Sequence, residues 1–158
     1  MADNGKPVML KVLEDRSRVI RGAQRRGDAF LLPLMLLYSA ASLLHFLHNA
    51  VYLRDYPNLP LWLTAGGVMG AWMIQAGTGL VGYLLYSRVT RAGGLITIAV
   101  YAAFGLAGLD HYTVAPVSAH TVAMNLTILL EVATAVGLLV CVALNALSPG
   151  QPASPKGG

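Results

Sequence analysis

The chain has 158 residues, of which 56% are hydrophobic and 11% are charged, and its formal net charge is +4. Soluble domains carry about 25% charged residues, so this composition excludes an ordinary soluble domain and indicates a protein surrounded by lipid. The basic N-terminal segment lacks aromatic or polar groups that read bases, which excludes a nucleic-acid partner.

Residues 1–28 form a basic N-terminal segment. Apolar residues such as Val8, Leu13 and Ile20 alternate there with lysine and arginine. This mixture suits a short amphipathic helix on an anionic membrane surface, and it suits a solvated basic tail equally well. At the other end, residues 148–158 are rich in Pro, Gly and Ser, and we predict that they form a disordered tail.

Four apolar segments of spanning length lie between these ends. A helix needs about 20 apolar residues to cross a hydrocarbon core about 30 Å thick. The predicted spans are residues 29–53, 63–87, 92–112 and 119–147. Because each backbone polar group in lipid must be satisfied within its own segment, the sequence predicts an all-α, integral membrane four-helix bundle.

The placement of lysine and arginine predicts the orientation of the bundle, since basic residues next to spans are retained in the cytoplasm. Ten of the eleven basic residues lie before the first span, between the second and third, or after the fourth. The exception is Arg54, between the first and second spans. We therefore expect cytoplasmic N and C termini, and we place the protein in the inner (plasma) membrane of a bacterium.

The second span contains a pair of glycines four residues apart, Gly66 and Gly70, and three further glycines follow at positions 77, 79 and 82. Such a pair lets helices approach closely, so we expect this span to pack tightly against its neighbours. The aromatic residues Tyr52, Tyr56 and Trp62 lie at the boundary between the first span and the second. We interpret them as part of an interfacial aromatic belt.

All four histidines fall on the predicted outer side of the membrane. His45 and His48 share one face of the first helix, while His111 ends the third helix and His120 begins the fourth. Imidazole is the commonest protein ligand for transition metals. The leading hypothesis is a copper, iron or zinc site at the outer face, serving membrane redox chemistry or metal handling.

Three further residues adjoin this predicted site. Asn49 lies four residues after His45 on the same helix stripe, and Asp110 precedes His111 as a candidate ligand or acceptor for an imidazole N–H. Met124 lies on the inward stripe of the fourth helix and would favour copper, because a thioether is a soft ligand.

One carboxylate, Glu131, lies well inside a predicted span, where an unpaired charge is costly. Each other helix carries a polar residue at a similar depth: Ser42, Gln75 and Tyr101. We expect a buried polar layer in which Gln75, Tyr101 or both hydrogen-bond Glu131. This layer would either relay protons to the histidine site or only set the register of the helices.

Four alternatives remain open at this point. The histidines can be ordinary interfacial hydrogen-bonding groups, or two of them can ligate haem b in a small membrane cytochrome. The chain can also be a non-catalytic subunit that packs against other membrane subunits or against copies of itself. A proton-linked carrier using Glu131 is the fourth alternative. The sequence has no nucleophile motif or phosphate loop, so a hydrolase or a nucleotide-binding protein has no support. Whether the protein is another kind of enzyme stays open.

Overall fold

The computed structural model describes residues 8–147, and within this range all regular structure is helical. Two short 3₁₀ segments, Gly105–Asp110 and Val117–Ala119, flank the shortest helix. The helices are α1 (Val8–Val51), α2 (Ala65–Arg88), α3 (Arg91–Phe104), α4 (His111–Val114) and α5 (Val122–Leu147). The predicted all-α class is confirmed for the described part of the chain.

Four stretches of these helices are long and apolar enough to cross a membrane. They are Asp28–Val51, Ala65–Arg88, Arg91–Val114 and Val122–Leu147. The four predicted spans are therefore confirmed, and each of their ends lies within three residues of its predicted position. The large side chains on the outside of the bundle are apolar, as in Ile74 and Leu126, which are 72% and 63% exposed. Such a surface is compatible with contact with lipid tails.

Helix α1 crosses the predicted boundary between the basic segment and the first span without interruption. Its first part coincides with the stretch for which an amphipathic helix was one of two interpretations, and its contact with a membrane surface stays a prediction. The predicted disordered tail, residues 148–158, lies outside the described residues, as do residues 1–7.

The third span is not one continuous α-helix. It consists of α3, a 3₁₀ segment that begins at Gly105, and α4. A Cβ atom added to Gly105 would lie 2.6 Å from Cε2 of Tyr38 and 2.7 Å from Cβ of Ala135. The backbone at Gly105 therefore lies so close to α1 and α5 that no residue with a Cβ atom would fit there. The α-helix changes to the more tightly wound 3₁₀ form at this residue.

The two halves of the bundle differ in polarity. α1 packs against α2 and α5, and α3 packs against the same two helices. Around Leu31, Ile98 and Leu138 the interior is apolar. Beyond Tyr38 and Tyr101 it becomes polar. We call the end that carries Arg88 and Arg91 the arginine end, and the end that carries residues 52–64 and α4 the histidine end.

The glycines of α2 divide into two groups. A Cβ atom at Gly66 or Gly70 would meet nothing within 4 Å. At Gly79 it would lie 2.9 Å from Cε1 of Tyr101, and at Gly82 it would lie 2.9 Å from Cγ1 of Ile98. The expected close packing of this helix is thus present, but it involves Gly79 and Gly82 against α3 and not the Gly66/Gly70 pair.

This difference generates a stability prediction. Gly82→Ala places a Cβ 3.0 Å from the backbone nitrogen of Ile98, which cannot rotate away. We expect the free energy of unfolding in detergent to fall by about 1–3 kcal/mol, the usual effect of overpacking. The matched control is Gly77→Ala in the same helix, where the added Cβ meets nothing within 4 Å. This variant should be neutral or slightly more stable, and equal destabilisation of both variants would contradict the analysis.

Candidate functional site

Two histidines from different helices meet across one asparagine at the histidine end. Nδ2 of Asn49 lies 3.1 Å from Nε2 of His45 and 3.4 Å from Nε2 of His111. The two imidazole rings are edge to face, with centroids 5.4 Å apart. Because His45 and Asn49 are one helical turn apart on α1, they present a single polar stripe to His111 at the start of α4. The predicted convergence of the first and third spans is present.

The hydrogen bonds of His45 define which of its nitrogens carries the proton. The Asn49 amide donates to Nε2, so the proton lies on Nδ1. Nδ1 lies 3.3 Å from Oγ1 of Thr127, whose hydroxyl in turn donates to the carbonyl of Met124 at 3.0 Å. Thr127 on α5 thus orients the ring, and the Nε2 lone pair of His45 points into the bundle.

Glu131 lies directly beside this lone pair. Its Oε2 atom is 3.6 Å from Nε2 of His45, and the residue is only 1% exposed. The side chains of Ser42 and Gln75 also lie next to the carboxyl group. A carboxylate oxygen and an unprotonated imidazole nitrogen are both acceptors, so a proton on the carboxyl group or another cation nearby would stabilise this contact.

Among the residues that the structure describes, three buried polar atoms of this end have no hydrogen-bond partner. They are Oδ1 of Asn49, Nε2 of His120 and Oε1 of Glu131. For His120 the cause is clear: Nδ1 lies 3.1 Å from the carbonyl oxygen of Pro116 and must donate to it, which leaves Nε2 as a free acceptor. Its ring lies 6.0 Å from that of His111, centroid to centroid. All three atoms can accept from, or coordinate, a positive group.

His48 is separated from the other three histidines by Tyr56. Its Nδ1 atom and the Tyr56 hydroxyl form a hydrogen bond of 2.9 Å. The tyrosine ring also contacts those of His111 and His120, with centroids 5.0 and 6.4 Å away. His48 and His45 thus bond to different partners, and their approach to one common ion stays a prediction.

The assignment of Tyr56 to an aromatic belt needs correction. Tyr52 and Trp62 are exposed, as expected for a belt, but Tyr56 is only 3% exposed. Burial raises the pKa of Tyr56 to about 12, so its hydroxyl keeps its proton. Asn58, with a positive φ of 58°, anchors the same loop by donating to the carbonyl of Val114 at 2.8 Å. Tyr56 thus covers the histidine site from the end of the bundle.

The predicted polar layer is present, and the Gln75 side chain lies against the Glu131 carboxyl group as expected. The Gln75 side-chain amide donates to Oγ of Ser42 at 2.6 Å and to the Tyr38 hydroxyl at 2.8 Å. The Tyr38 hydroxyl donates to the backbone carbonyl of Tyr101 at 3.2 Å. Ser42, Gln75 and Tyr101 are all buried next to Glu131, as expected. The partner that the sequence analysis missed is Tyr38, which joins α1 to the third span.

The remaining predicted site residues lie at the margin. Asp110 is exposed, and its backbone carbonyl accepts from the Thr113 hydroxyl. Met124 is buried, but its sulfur accepts from the backbone N–H of Thr121 at 3.4 Å and so lies at the start of α5. Of the predicted residues, the structure brings His45, Asn49, His111 and Glu131 together most closely.

A sequence signal existed for Tyr38 but not for Tyr56. Tyr38 lies four residues before Ser42 and seven before His45, which is the spacing of one continuous helix face. Tyr56 belongs to a loop, where no period relates a residue to the helix faces. A second missed group, Asp28, Tyr86, Arg91 and Asn145, lies at the arginine end.

No protein-family model matches the chain, and comparisons with curated proteins and with solved structures give no match either. Within residues 8–147, no three His, Cys, Asp or Glu side chains form a group already arranged to hold a metal ion. The site therefore has to be interpreted from its own geometry.

The polar layer generates a second stability prediction. Gln75→Leu removes the amide that donates to the hydroxyls of Ser42 and Tyr38, so both buried hydroxyls lose a hydrogen bond. We expect the free energy of unfolding to fall by about 1–3 kcal/mol. The control is Thr78→Val on the same helix, which loses only a bond to its own turn, to the carbonyl of Ile74. A Gln75→Leu protein as stable as this control would show that the layer does not hold the helices together.

Proposed function

We propose that this membrane protein binds a transition-metal ion at its histidine end, through Nε2 of His45, Nε2 of His111 and the carboxylate of Glu131. The observation that carries the proposal is the convergence of unprotonated nitrogen and oxygen atoms around Asn49. They come from three helices, His45 and Glu131 are buried, and Oε1 of Glu131 has no hydrogen-bond partner among the described residues. The ion would serve redox chemistry or metal handling in the membrane.

The distances from Asn49 to the two imidazole nitrogens, and from Glu131 to His45, support a shared ion. Ligands of one tetrahedral ion with bonds of about 2.0–2.1 Å lie about 3.3 Å from each other. Here the Asn49 amide lies 3.1 Å from one imidazole nitrogen and 3.4 Å from the other, and Glu131 lies 3.6 Å from His45. Rotation of the Asn49 side-chain amide by 180° would place Oδ1 where Nδ2 now lies. Oδ1 would then be a fourth ligand atom for the ion.

The proposed ligand set differs from the four histidines that the sequence alone favoured. His48 is bonded to Tyr56, and Asp110 is exposed. His120 has a free Nε2 atom and contacts the ring of His111, so it is the nearest additional imidazole. Thr127 takes the role of the residue that orients a ligand, because it holds Nδ1–H of His45.

The donor atoms favour iron(II) or zinc over copper(I). Two imidazoles and one carboxylate with an open position are typical of non-haem iron sites, and zinc enzymes use the same set. Copper(I) prefers soft sulfur ligands, whereas the sulfur of Met124 bonds to the chain at Thr121. Haem b has less support, because the Asn49 amide lies between the two imidazole nitrogens that a porphyrin would have to separate.

Metal analysis of the purified full chain tests the proposal. Wild-type protein incubated with iron(II) or zinc and then desalted should retain about one ion per chain. His45→Ala and Glu131→Gln should each lower the retained metal at least tenfold, since each removes one of three ligands. His48→Ala is the matched control and should retain the metal, because its imidazole bonds to Tyr56.

Two results would overturn the proposal. One is a wild-type protein that retains no metal above the level of His45→Ala. The other is an equal loss of metal in His48→Ala and His45→Ala at equal folded yield, because it would point to non-specific binding by surface imidazole. Loss of half or less in His120→Ala would support the three-ligand set.

We propose further that the histidine end faces outward and the arginine end faces the cytoplasm of a bacterial inner membrane. The support is the distribution of charge: Arg88 and Arg91 follow the second span, whereas Arg54 is the single basic residue of the two loops at the histidine end.

Labelling of single cysteines in intact cells tests this orientation. In a Cys141→Ser background, Ser118→Cys lies in an exposed loop at the histidine end and Val89→Cys is exposed at the arginine end. A membrane-impermeant maleimide should label Ser118→Cys at least tenfold more than Val89→Cys. Both should react equally after the cells are lysed, and the reverse ratio in intact cells would invert the topology.

A further inference from the structure

A cavity lies at the arginine end, on the far side of the apolar core from the histidines. It is a groove between α3 and α5 with a volume of about 530 Å³. Its walls are apolar and include Leu95, Ala99 and Val142, while Arg91 and Asn145 lie at one end. Both helices belong to membrane-spanning segments, so an occupant of this groove needs an apolar part for the walls and a polar part for the end.

Arg91 is held rigidly at the end of this groove. Its Nη1 atom donates to Oδ1 of Asp28 at 2.9 Å and to the Tyr86 hydroxyl at 2.7 Å. Its Nη2 atom donates to the backbone and side-chain oxygens of Asn145, both at 3.1 Å. These contacts connect α1, α2, α3 and α5, and they fix the guanidinium group where the groove begins.

The charge at this end is positive on balance. Asp28 compensates one of the two arginines, and Arg88, three residues before Arg91, is exposed. Arg91 itself is partly exposed, with 28% of its side chain accessible. A phosphate group at the membrane surface would therefore find two guanidinium groups beside a single carboxylate.

The length of the groove fits a lipid tail. Its lining on α3 extends from Arg91 to Ala99, which is eight residues and about 12 Å along the helix axis. A chain lying in it would contact small and branched apolar side chains over this distance. Its headgroup would stay at the level of Arg91, where a spanning segment begins.

We propose that the groove between α3 and α5 binds one acyl chain of an anionic phospholipid, whose phosphate group contacts Arg88 and Arg91. Basic residues at the end of apolar grooves between spanning helices are the usual recognition elements for such lipids. The proposal depends on the membrane location of the chain and is independent of the metal site.

Lipid retention by the full chain provides the test. Detergent-purified protein is incubated with phosphatidylglycerol or phosphatidylcholine of matched chain length and then examined by native mass spectrometry. We expect the wild-type chain to retain one phosphatidylglycerol at least tenfold more than phosphatidylcholine. Ala99→Phe fills the groove and should lower this retention at least tenfold. The matched control is Ala103→Phe, on an exposed part of α3 outside the groove, which should retain the lipid.

A charge variant separates headgroup recognition from occupation of the groove. Arg88→Gln leaves the contacts of Arg91 with Asp28 and Asn145 in place, so it avoids loss of the fold. It should reduce the preference for phosphatidylglycerol several-fold. The metal content of Ala99→Phe should equal that of the wild-type chain, which distinguishes failure of this proposal from failure of the proposed function.

Three outcomes would overturn the lipid proposal. One is equal retention of the two lipids by the wild-type chain, and another is unchanged retention in Ala99→Phe. The third concerns residues 148–158, which follow α5 at this end of the bundle. If a chain ending at Leu147 retains at least tenfold more lipid than the full chain, the groove is occupied by the chain's own tail.

Discussion

The structure depends on a constraint that lipid imposes: a buried polar side chain in a membrane bundle has no water to bond to, so it must find a partner on another helix. The Asn49 amide meets this constraint by donating to His111 of the third span, and it also donates to His45 on its own helix. Through the bond between His45 and Thr127 the same group extends to α5. These hydrogen bonds therefore fix the rotation of α1, α5 and the third span about their axes relative to one another. The apolar side chains at the arginine end pack in the orientation that results.

The interruption of the third span is what brings His111 into this group. A 3₁₀ segment turns by about 120° per residue, compared with about 100° in an α-helix. Over the six residues Gly105–Asp110 the difference amounts to about 120°, so His111 points in a different direction from the one that a regular helix would give it. Gly105, where Tyr38 and Ala135 approach the backbone, is the start of this change. The same change leaves Asp110 exposed and places its neighbour in the interior.

These two features determine which parts of the structure could be predicted from the sequence. Hydropathy alone predicted four spans, because the length of each apolar run is set by the membrane and not by the neighbours of the helix. Helical periodicity predicted that His45 and Asn49 share a face, and the position of Glu131 inside a span predicted that it needs a partner. It could not give the direction of His111, which depends on the 3₁₀ segment, or the burial of Tyr56, which depends on a loop folding back over the bundle. Hydrogen-bond partners across helices require the rotation of each helix, and no residue spacing within one helix contains that information.

The two polar groups of the bundle allow the structural and functional interpretations to be compared. At the arginine end, donors match acceptors within the chain, since Arg91 donates to Asp28 and to both oxygens of Asn145. At the histidine end, acceptors exceed donors, since Oδ1 of Asn49, Oε1 of Glu131 and Nε2 of His120 have no hydrogen-bond partner among the described residues. A group that served helix register alone would gain stability from matched donors, as the arginine end does. A surplus of acceptors in a buried site is the arrangement that a cation compensates, which is why we propose a bound ion at the histidine end over a purely structural role.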